Sequence, residues 1–436
     1  MRSRSAVSSP ARTSTGAPLI PEPPMSMPNA SIPLHSPSDS AKTCFETVLN
    51  RNPGSRVSRV TSANKEARMR LRIITACAVA VSTAATLTIP AQATTPKQNR
   101  FDVVGLVSDV RGKAAVTDPK LVNPWGLAMG KTLWVSNAGT GTATVYSGQG
   151  KKERTEVAIP GGAPTGQVFN GGEGFTVKGK PATFIFSSPS GAITGWNAEV
   201  DPKNAIIGAF TRGADYKGLA MAETDDGAFL LAADFAGGRL HAFDEDFRRI
   251  RLSRSQFRDR TVPANYHPFN VEVVNGNVWV AYALRDSETG KSVAGSGKGF
   301  VSRFDLNGRL TGRIARVGLN APWAITKAPR GMGRYAGALL VGNFGDGTIH
   351  AYRGNRHLGA LRAADNRPIT LPGLWDLEPG TAAIGGENTL WFSAGSDGGK
   401  HGLLGMIRPA GTKAPTPAAT PTTDSGNQSK SPYRGY

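Results

Sequence analysis

Cysteine is nearly absent from this chain. The only two are Cys44 and Cys77, so everything after residue 77 is free of thiols. That excludes disulfides, a thiolate nucleophile and a thiolate metal site from the C-terminal four-fifths of the sequence. Acidic residues are also scarce, 32 Asp and Glu against 51 Lys and Arg, for a net charge of +19. Helical periodicity is missing, and only one long apolar run occurs, Ile73 to Ile89. Catalytic signatures are missing too. There is no G-x-S-x-G, and the stretch from Gly126 through Gly130-Lys131-Thr132 is one residue short of a phosphate loop and leads into a strand.

The one apolar run sits in a telling context. Met69-Arg70-Leu71-Arg72 is a basic start, Ile73–Ile89 is uncharged, and Ala91-Gln92-Ala93 is a small-x-small cleavage site. This order reads as a secretory signal ending near Ala93, which makes the product secreted or extracytoplasmic. Residues 1–68, rich in Ser, Pro and Arg, are then a disordered extension or a misassigned start. A signal anchor at 73–89 is the rival reading, but the run is short and diluted by Ser and Thr. Residues 1–93 carry 11 of the 51 basic and 4 of the 32 acidic residues, so an excess of 12 positive charges stays with the remainder. In an exported protein such an excess points away from nucleic acid and toward anionic cell-wall polymer, lipid headgroups or acidic polysaccharide, with plain solubility as the simpler reading.

What is present is a repeat. Six copies open at Asn123-Pro124-Trp125-Gly126, Pro164-Thr165-Gly166, Tyr216-Lys217-Gly218, His267-Pro268-Phe269-Asn270, Ala321-Pro322-Trp323 and Gly373-Leu374-Trp375-Asp376. Each continues into an apolar strand, a Gly-rich turn and a strand ending in an aromatic. A period near fifty residues with several short strands per copy predicts an all-β, six-bladed β-propeller over residues 94–410. The last copy supplies only three strands, so Phe101–Val110 is expected to complete it as an outer strand, closing the ring. Asp226-Gly227, Asn275-Gly276, Asn307-Gly308 and Asp346-Gly347 mark tight hairpins. Residues 411–436 are a Pro/Thr/Ser tail read as disordered.

These stretches resemble an uncharacterised family of exported bacterial propeller-like proteins, some of which end in a PEP-CTERM sorting tail. The matching segments are LVNPWGLA (Leu121–Ala128), LWVSNAGTG (Leu133–Gly141), YKGLA (Tyr216–Ala220), ANYHPFN (Ala264–Asn270), LNAPWAI (Leu319–Ile325) and LVGNFGDG (Leu340–Gly347). The resemblance covers nearly all of residues 101–408 and implies an exported propeller with no known activity. Pro415–Tyr436 lacks the hydrophobic helix of a sorting tail. NHL and calcium-dependent lactonase propellers are similar in repeat form.

Equivalent positions in a closed ring converge. The inner-strand position gives Trp125, Thr165, Lys217, Phe269, Trp323 and Trp375, and the second-strand ends give Asn137, Ser188, Asp234, Tyr282, Asn343 and Ala394. Trp125, Lys217, Phe269, Trp323 and Trp375, edged by Asn137, Asp234 and Asn343, form the expected ligand site: rings to stack and amides to bind hydroxyls. The plainer reading has the tryptophans filling the channel. The expected function is a non-catalytic propeller, most simply a monomer, that binds a small molecule, glycan or envelope partner. The alternative is a lactonase-like hydrolase or lyase, with Asp234 and His267 as catalytic candidates and calcium as the one conceivable cofactor. Hard cations need several oxygen ligands, and these positions offer few, so no metal ligand is assigned. Arg248, Arg249, Arg251 and Arg254, with Arg258 and Arg260 beyond them, make a basic run suited either to an anionic envelope polymer or to guarding a sheet edge.

Overall fold

The computed structural model describes residues 99–412. The readings made of residues 1–98, including the signal ending at Ala93, and of the tail beyond residue 412 lie outside the described residues.

Residues 99–412 fold into six antiparallel sheets of at least four strands, arranged as the blades of a propeller. From the innermost strand outward, blade 1 is Pro124–Met129, Leu133–Asn137, Thr142–Tyr146 and Lys152–Ala158. Blade 2 is Gln167–Phe169, Phe184–Ser187, Ala192–Trp196 and Ile206–Phe210. Blade 3 is Tyr216–Thr224, Gly227–Asp234, Arg239–Phe243 and Arg249–Ile250. Blade 4 is Tyr266–Val274, Asn277–Leu284, Phe300–Phe304 and Leu310–Arg313. Blade 5 is Pro322–Lys327, Leu339–Asn343, Ile349–Arg353 and Arg356–Ala360.

Blade 6 closes the ring as the repeat count predicts. Leu374–Pro379, Leu390–Ala394 and Leu403–Pro409 are joined on the outside by Phe101–Ser108, paired from Phe101 opposite Pro409 to Ser108 opposite Leu403 with one slip between Gly105 and Val107. The first strand thus covers an edge that the last repeat leaves open. Phe101 is 1% exposed and packs against Tyr335 with ring centroids 6.1 Å apart. Two additions were not expected: Val116–Thr117 pairs in parallel with the closing strand, and Thr176–Val177 pairs with Lys180–Pro181 as an inserted hairpin in blade 2.

Local chemistry explains the hairpins. Asn275 and Gly276 take φ of 51° and 67°, the left-handed pair that a two-residue turn between twisted strands requires. Second strands are buried throughout in blades 1, 2 and 6 because each lies mid-sheet, with both faces against neighbouring blades. The inner strands are tied across blade boundaries. Gly126 N–H donates to Thr165 O at 2.9 Å, Thr165 Oγ1 donates to Tyr216 O at 2.8 Å, and Asn270 Nδ2 donates to Trp323 O at 3.0 Å. Blade 3 comes so close to blade 4 that a Cβ at Gly218 would collide with Asn270.

Candidate functional site

In five blades the ladder between the inner and second strands slips at one place. Pro124 faces Asn137 but Leu127 faces Val135; Tyr216 faces Asp234 but Gly218 faces Ala233. The same slip falls between Pro268 and Asn270, between Pro322 and Ala324, and between Leu374 and Leu377. The extra residues at these bulges include Trp125, Lys217, Phe269, Trp323 and Trp375. A bulge bends the strand and re-aims the unpaired side chain, which is how a residue on an inner strand is turned toward the axis. Blade 2 has no such slip in its ladder; Thr165 precedes its inner strand and is spent on backbone carbonyls.

The structure brings these side chains together. Trp125 and Trp375 stack with centroids 3.3 Å apart, and Trp323 stands edge-on to both at 6.1 and 6.0 Å. Phe344 stacks on Trp375 at 4.1 Å, and Phe269 lies 6.0 Å from Trp375. Exposures are 7% for Trp125, 4% for Trp375, 1% for Trp323 and 2% for Phe269. The rings therefore plug one end of the channel, with their faces covered by one another. The expectation of free ring faces for a ligand is corrected: the bulges aim five repeats at the same point, and aromatic surface meeting there buries itself. Trp323 Nε1 donates to Lys217 O at 3.2 Å and Trp375 Nε1 to Asn123 Oδ1 at 3.1 Å. Lys217 Nζ lies 5.6 Å from the Trp125 ring centre and 2.8 Å from Asp215 Oδ1.

Asn137, Asp234 and Asn343 do not form a polar rim. All three are buried, and Asp234 and Asn343 hold turns of the backbone. Asn137 Nδ2 donates to Thr144 Oγ1 at 2.8 Å. Asn343 Nδ2 donates to Gly318 O at 2.7 Å while its Oδ1 accepts from Asn320 N–H at 3.1 Å. Asp234 Oδ1 accepts from the N–H groups of Asp215 and Gly237, both at 3.0 Å, and its Oδ2 lies 3.4 Å from His241 Nε2. Burial, followed by the charge of Arg249, holds His241 down at about 4. His267 spends Nδ1 on Phe235 O at 2.6 Å. Asp234 and His267 thus have separate partners and form no hydrogen bond or ion pair with each other among the described residues.

The titratable groups of the channel lie in or just beyond the bulges. Glu272 comes from blade 4, and Asp376 and Glu378 from blade 6. Burial pushes the Glu378 carboxyl up to about 8, and the neighbouring Asp376 adds to this. Burial likewise pushes Asp376 up to about 6, against the pull of N–H bonds from Leu127 and Leu377, both 2.7 Å. Glu272 is raised well above the usual range by burial, then by Asp376 and Glu378, while Asn270 Nδ2 donates to its Oε1 at 3.1 Å. Glu272 and Glu378 keep part of their surface open, so these are groups inside a channel, not in a sealed core. Asp376 thus raises the proton affinity of both glutamates, and buried acids coupled in this way mark a candidate functional site. Calcium does not fit it. Both Asp376 oxygens already accept backbone N–H bonds, and no group of three or more His, Cys, Asp or Glu side chains among the described residues is placed to hold a metal ion.

Equivalence in the repeat singles out the inner-strand residue, the strand end and the adjacent Asp376, and leaves Glu272 and Glu378 unmarked. The signal for the carboxyls was available: Val271-Glu272-Val273 and Leu377-Glu378 each put an acid inside an apolar inner strand.

No family model matches this chain. Two proteins of Acanthamoeba polyphaga mimivirus do. Uncharacterized protein R648 is 33% identical over 321 residues, which is 69% of this chain and 78% of R648. Uncharacterized protein L690 is 30% identical over 321 residues, 69% of this chain and 84% of L690. The chain belongs to the family of these two viral proteins. The matches give no support to a bacterial family or to a sorting tail. Among solved structures, virginiamycin B lyase from Staphylococcus aureus covers 71% of this chain and 99% of its own at 12% identity, with a TM-score of 0.41. The gluconolactonase XC5397 of Xanthomonas campestris covers 66% and 88% at 12% identity, with a TM-score of 0.40. Likeness at this level carries no argument about chemistry.

Proposed function

We propose that this protein is an exported, non-catalytic binding propeller that takes a small molecule rich in hydroxyl or ammonium donors, a sugar being the plain example, into its central channel. The reading rests on one observation: Glu272 of blade 4 and Asp376 and Glu378 of blade 6 are buried near enough for Asp376 to raise the proton affinity of both glutamates. Glu378, at about 8, keeps its proton at neutral pH while Asp376 is largely ionised, so the cluster offers both a donor and acceptors to a ligand bearing hydroxyls. The aromatic plug closes one end, so the ligand approaches from the opposite mouth and rests against a rigid apolar wall. Export rests on the signal-like order of residues 69–93 in the sequence.

A thermal-shift and calorimetric screen of sugars and amines on purified protein tests this. The reading expects at least one donor-rich compound to stabilise the wild type, and the Glu272→Gln, Glu378→Gln double variant to bind it at least about tenfold less tightly, the loss of carboxyl hydrogen bonds. No stabilising compound in either class, or undiminished binding by the double variant, overturns it.

One observation favours a second reading, hydrolase or lyase action. Asp376 and Glu378 are held at about 6 and about 8, a separation that suits a base and an acid working together. These would replace Asp234 and His267 as the catalytic pair. Turnover of a compound found in the screen distinguishes this reading from simple binding.

A further inference from the structure

A cleft of about 430 Å³ opens between blades 3 and 4, away from the channel carboxyls. It is bounded by the Gly237–Arg239 turn, by the connection that follows Arg249–Ile250, and by the start of the inner strand of blade 4. We propose that this cleft is a second binding site, for a small organic anion with a carboxylate or phosphate head on an apolar body.

The charge around the cleft is one-sided. Arg239, Arg254 and Arg258 line it, all three are exposed, and none has a carboxylate within ion-pair distance among the described residues. Other arginines of the region are engaged. Arg248 pairs with Asp246, and Arg249 lies over the Phe243 ring. The one acid lining the cleft, Asp259, is neutralised by Arg313, whose Nη2 lies 2.7 Å from Oδ1. Three free guanidinium groups thus face a cleft with no free counter-charge, and their planar forks match carboxylate and phosphate oxygens.

A second observation is independent of charge. Tyr282 also lines the cleft; it is only 5% exposed, and its hydroxyl has no hydrogen-bond partner. Buried hydroxyls are ordinarily satisfied, and one left open at a cleft wall points to an acceptor supplied from outside. His267 stands beside it in the lining. Its Nδ1 donates to Phe235 O, and Nε2 donates to an anion when the ring is protonated. Apolar surface from Leu252, Phe257 and Val262 completes the wall. A volume of this size suits a small molecule, and the apolar wall favours an anion with a ring or chain behind its head over a bare ion.

Calorimetric titration of the full-length protein with phenyl phosphate, benzoate and inorganic phosphate, at low and at physiological salt, tests the site. At least one of the two aromatic anions should bind, and inorganic phosphate should bind more weakly. Tyr282→Phe, which keeps the ring and removes the open hydroxyl, should weaken binding about fivefold. The Arg254→Ala, Arg258→Ala double variant should weaken it at least about tenfold and flatten the salt dependence. Both variants should keep the wild-type melting temperature, and Glu272→Gln with Glu378→Gln should leave this binding unchanged. Two results overturn the proposal: neither aromatic anion binds, or binding is indifferent to Tyr282→Phe, which would mean that arginines attract anions diffusely over the surface.

Discussion

The indoles of Trp125 and Trp375 stack face to face, centroids 3.3 Å apart and planes 19° from parallel, although they come from the first and last blades. That contact lies on the seam where the ring closes, and Phe344 covers the other side of Trp375. Trp375→Ala should therefore cost about 3–5 kcal/mol, the range for emptying a buried aromatic site. Urea unfolding measures this. A loss below about 1 kcal/mol would mean that the plug is loosely packed and that the rings are available to a ligand after all.

The outer strand of blade 6 makes a separate claim on stability. Phe101 is buried against Tyr335 and begins the strand that joins the two ends of the ring. Phe101→Ala should cost about 3–5 kcal/mol, and deletion through Ser108 should cost more, since it also bares the edge of Leu403–Pro409. Retention of the wild-type melting temperature after that deletion would refute closure by this strand.

Asn343→Ala should destabilise the fold by about 1–3 kcal/mol, because it strands the buried N–H of Asn320 and the carbonyl of Gly318. A rim residue would behave differently, losing ligand affinity while keeping the fold, so chemical denaturation of this single variant separates the two roles.

The channel carboxyls predict how stability depends on pH. Glu378 titrates at about 8 in the folded protein, against ~4.3 for a free glutamate. The folded state holds the proton more tightly, so this contribution is full below about pH 4.3 and is lost as pH rises through 8. His241 and His350, both held at about 4 by burial, act in the opposite sense: their contribution is present above ~6.5 and is lost as pH falls through 4. Above neutrality these histidines are uncharged in both states, leaving the carboxyls to set the slope. The melting temperature should fall from pH 7 to pH 9, and Glu378→Gln should flatten that fall.

The blades were legible because each repeat carries its own strand chemistry. Asn275-Gly276 states its turn outright, and the one strand missing from the last repeat marks where Phe101–Ser108 must go. Convergence of Trp125, Lys217, Phe269, Trp323 and Trp375 was legible too, since equivalence in the repeat becomes proximity in the ring. What those residues do on meeting was not. Whether a tryptophan offers its face or hides it depends on how many other rings arrive, which only the assembled channel decides. Asn137 and Asn343 misled for a related reason: an amide at a strand end looks the same in sequence whether it meets a ligand or, as here, a hydroxyl of Thr144 or the carbonyl of Gly318. Glu272 and Glu378 were passed over because their meaning lies in facing each other from blades far apart in the chain. Arg239 escaped the basic run because the cleft gathers it from a different turn.

The central claim is that Glu272, Asp376 and Glu378 share one charge environment inside the channel. Titrating selectively ¹³C-labelled glutamate carboxyls by NMR reads it directly, with Glu378→Gln assigning the signal. Glu378 should titrate near 8, and its midpoint should fall toward the ordinary range in Asp376→Asn. A Glu378 carboxyl titrating near 4.3, indifferent to that substitution, would contradict the shared environment.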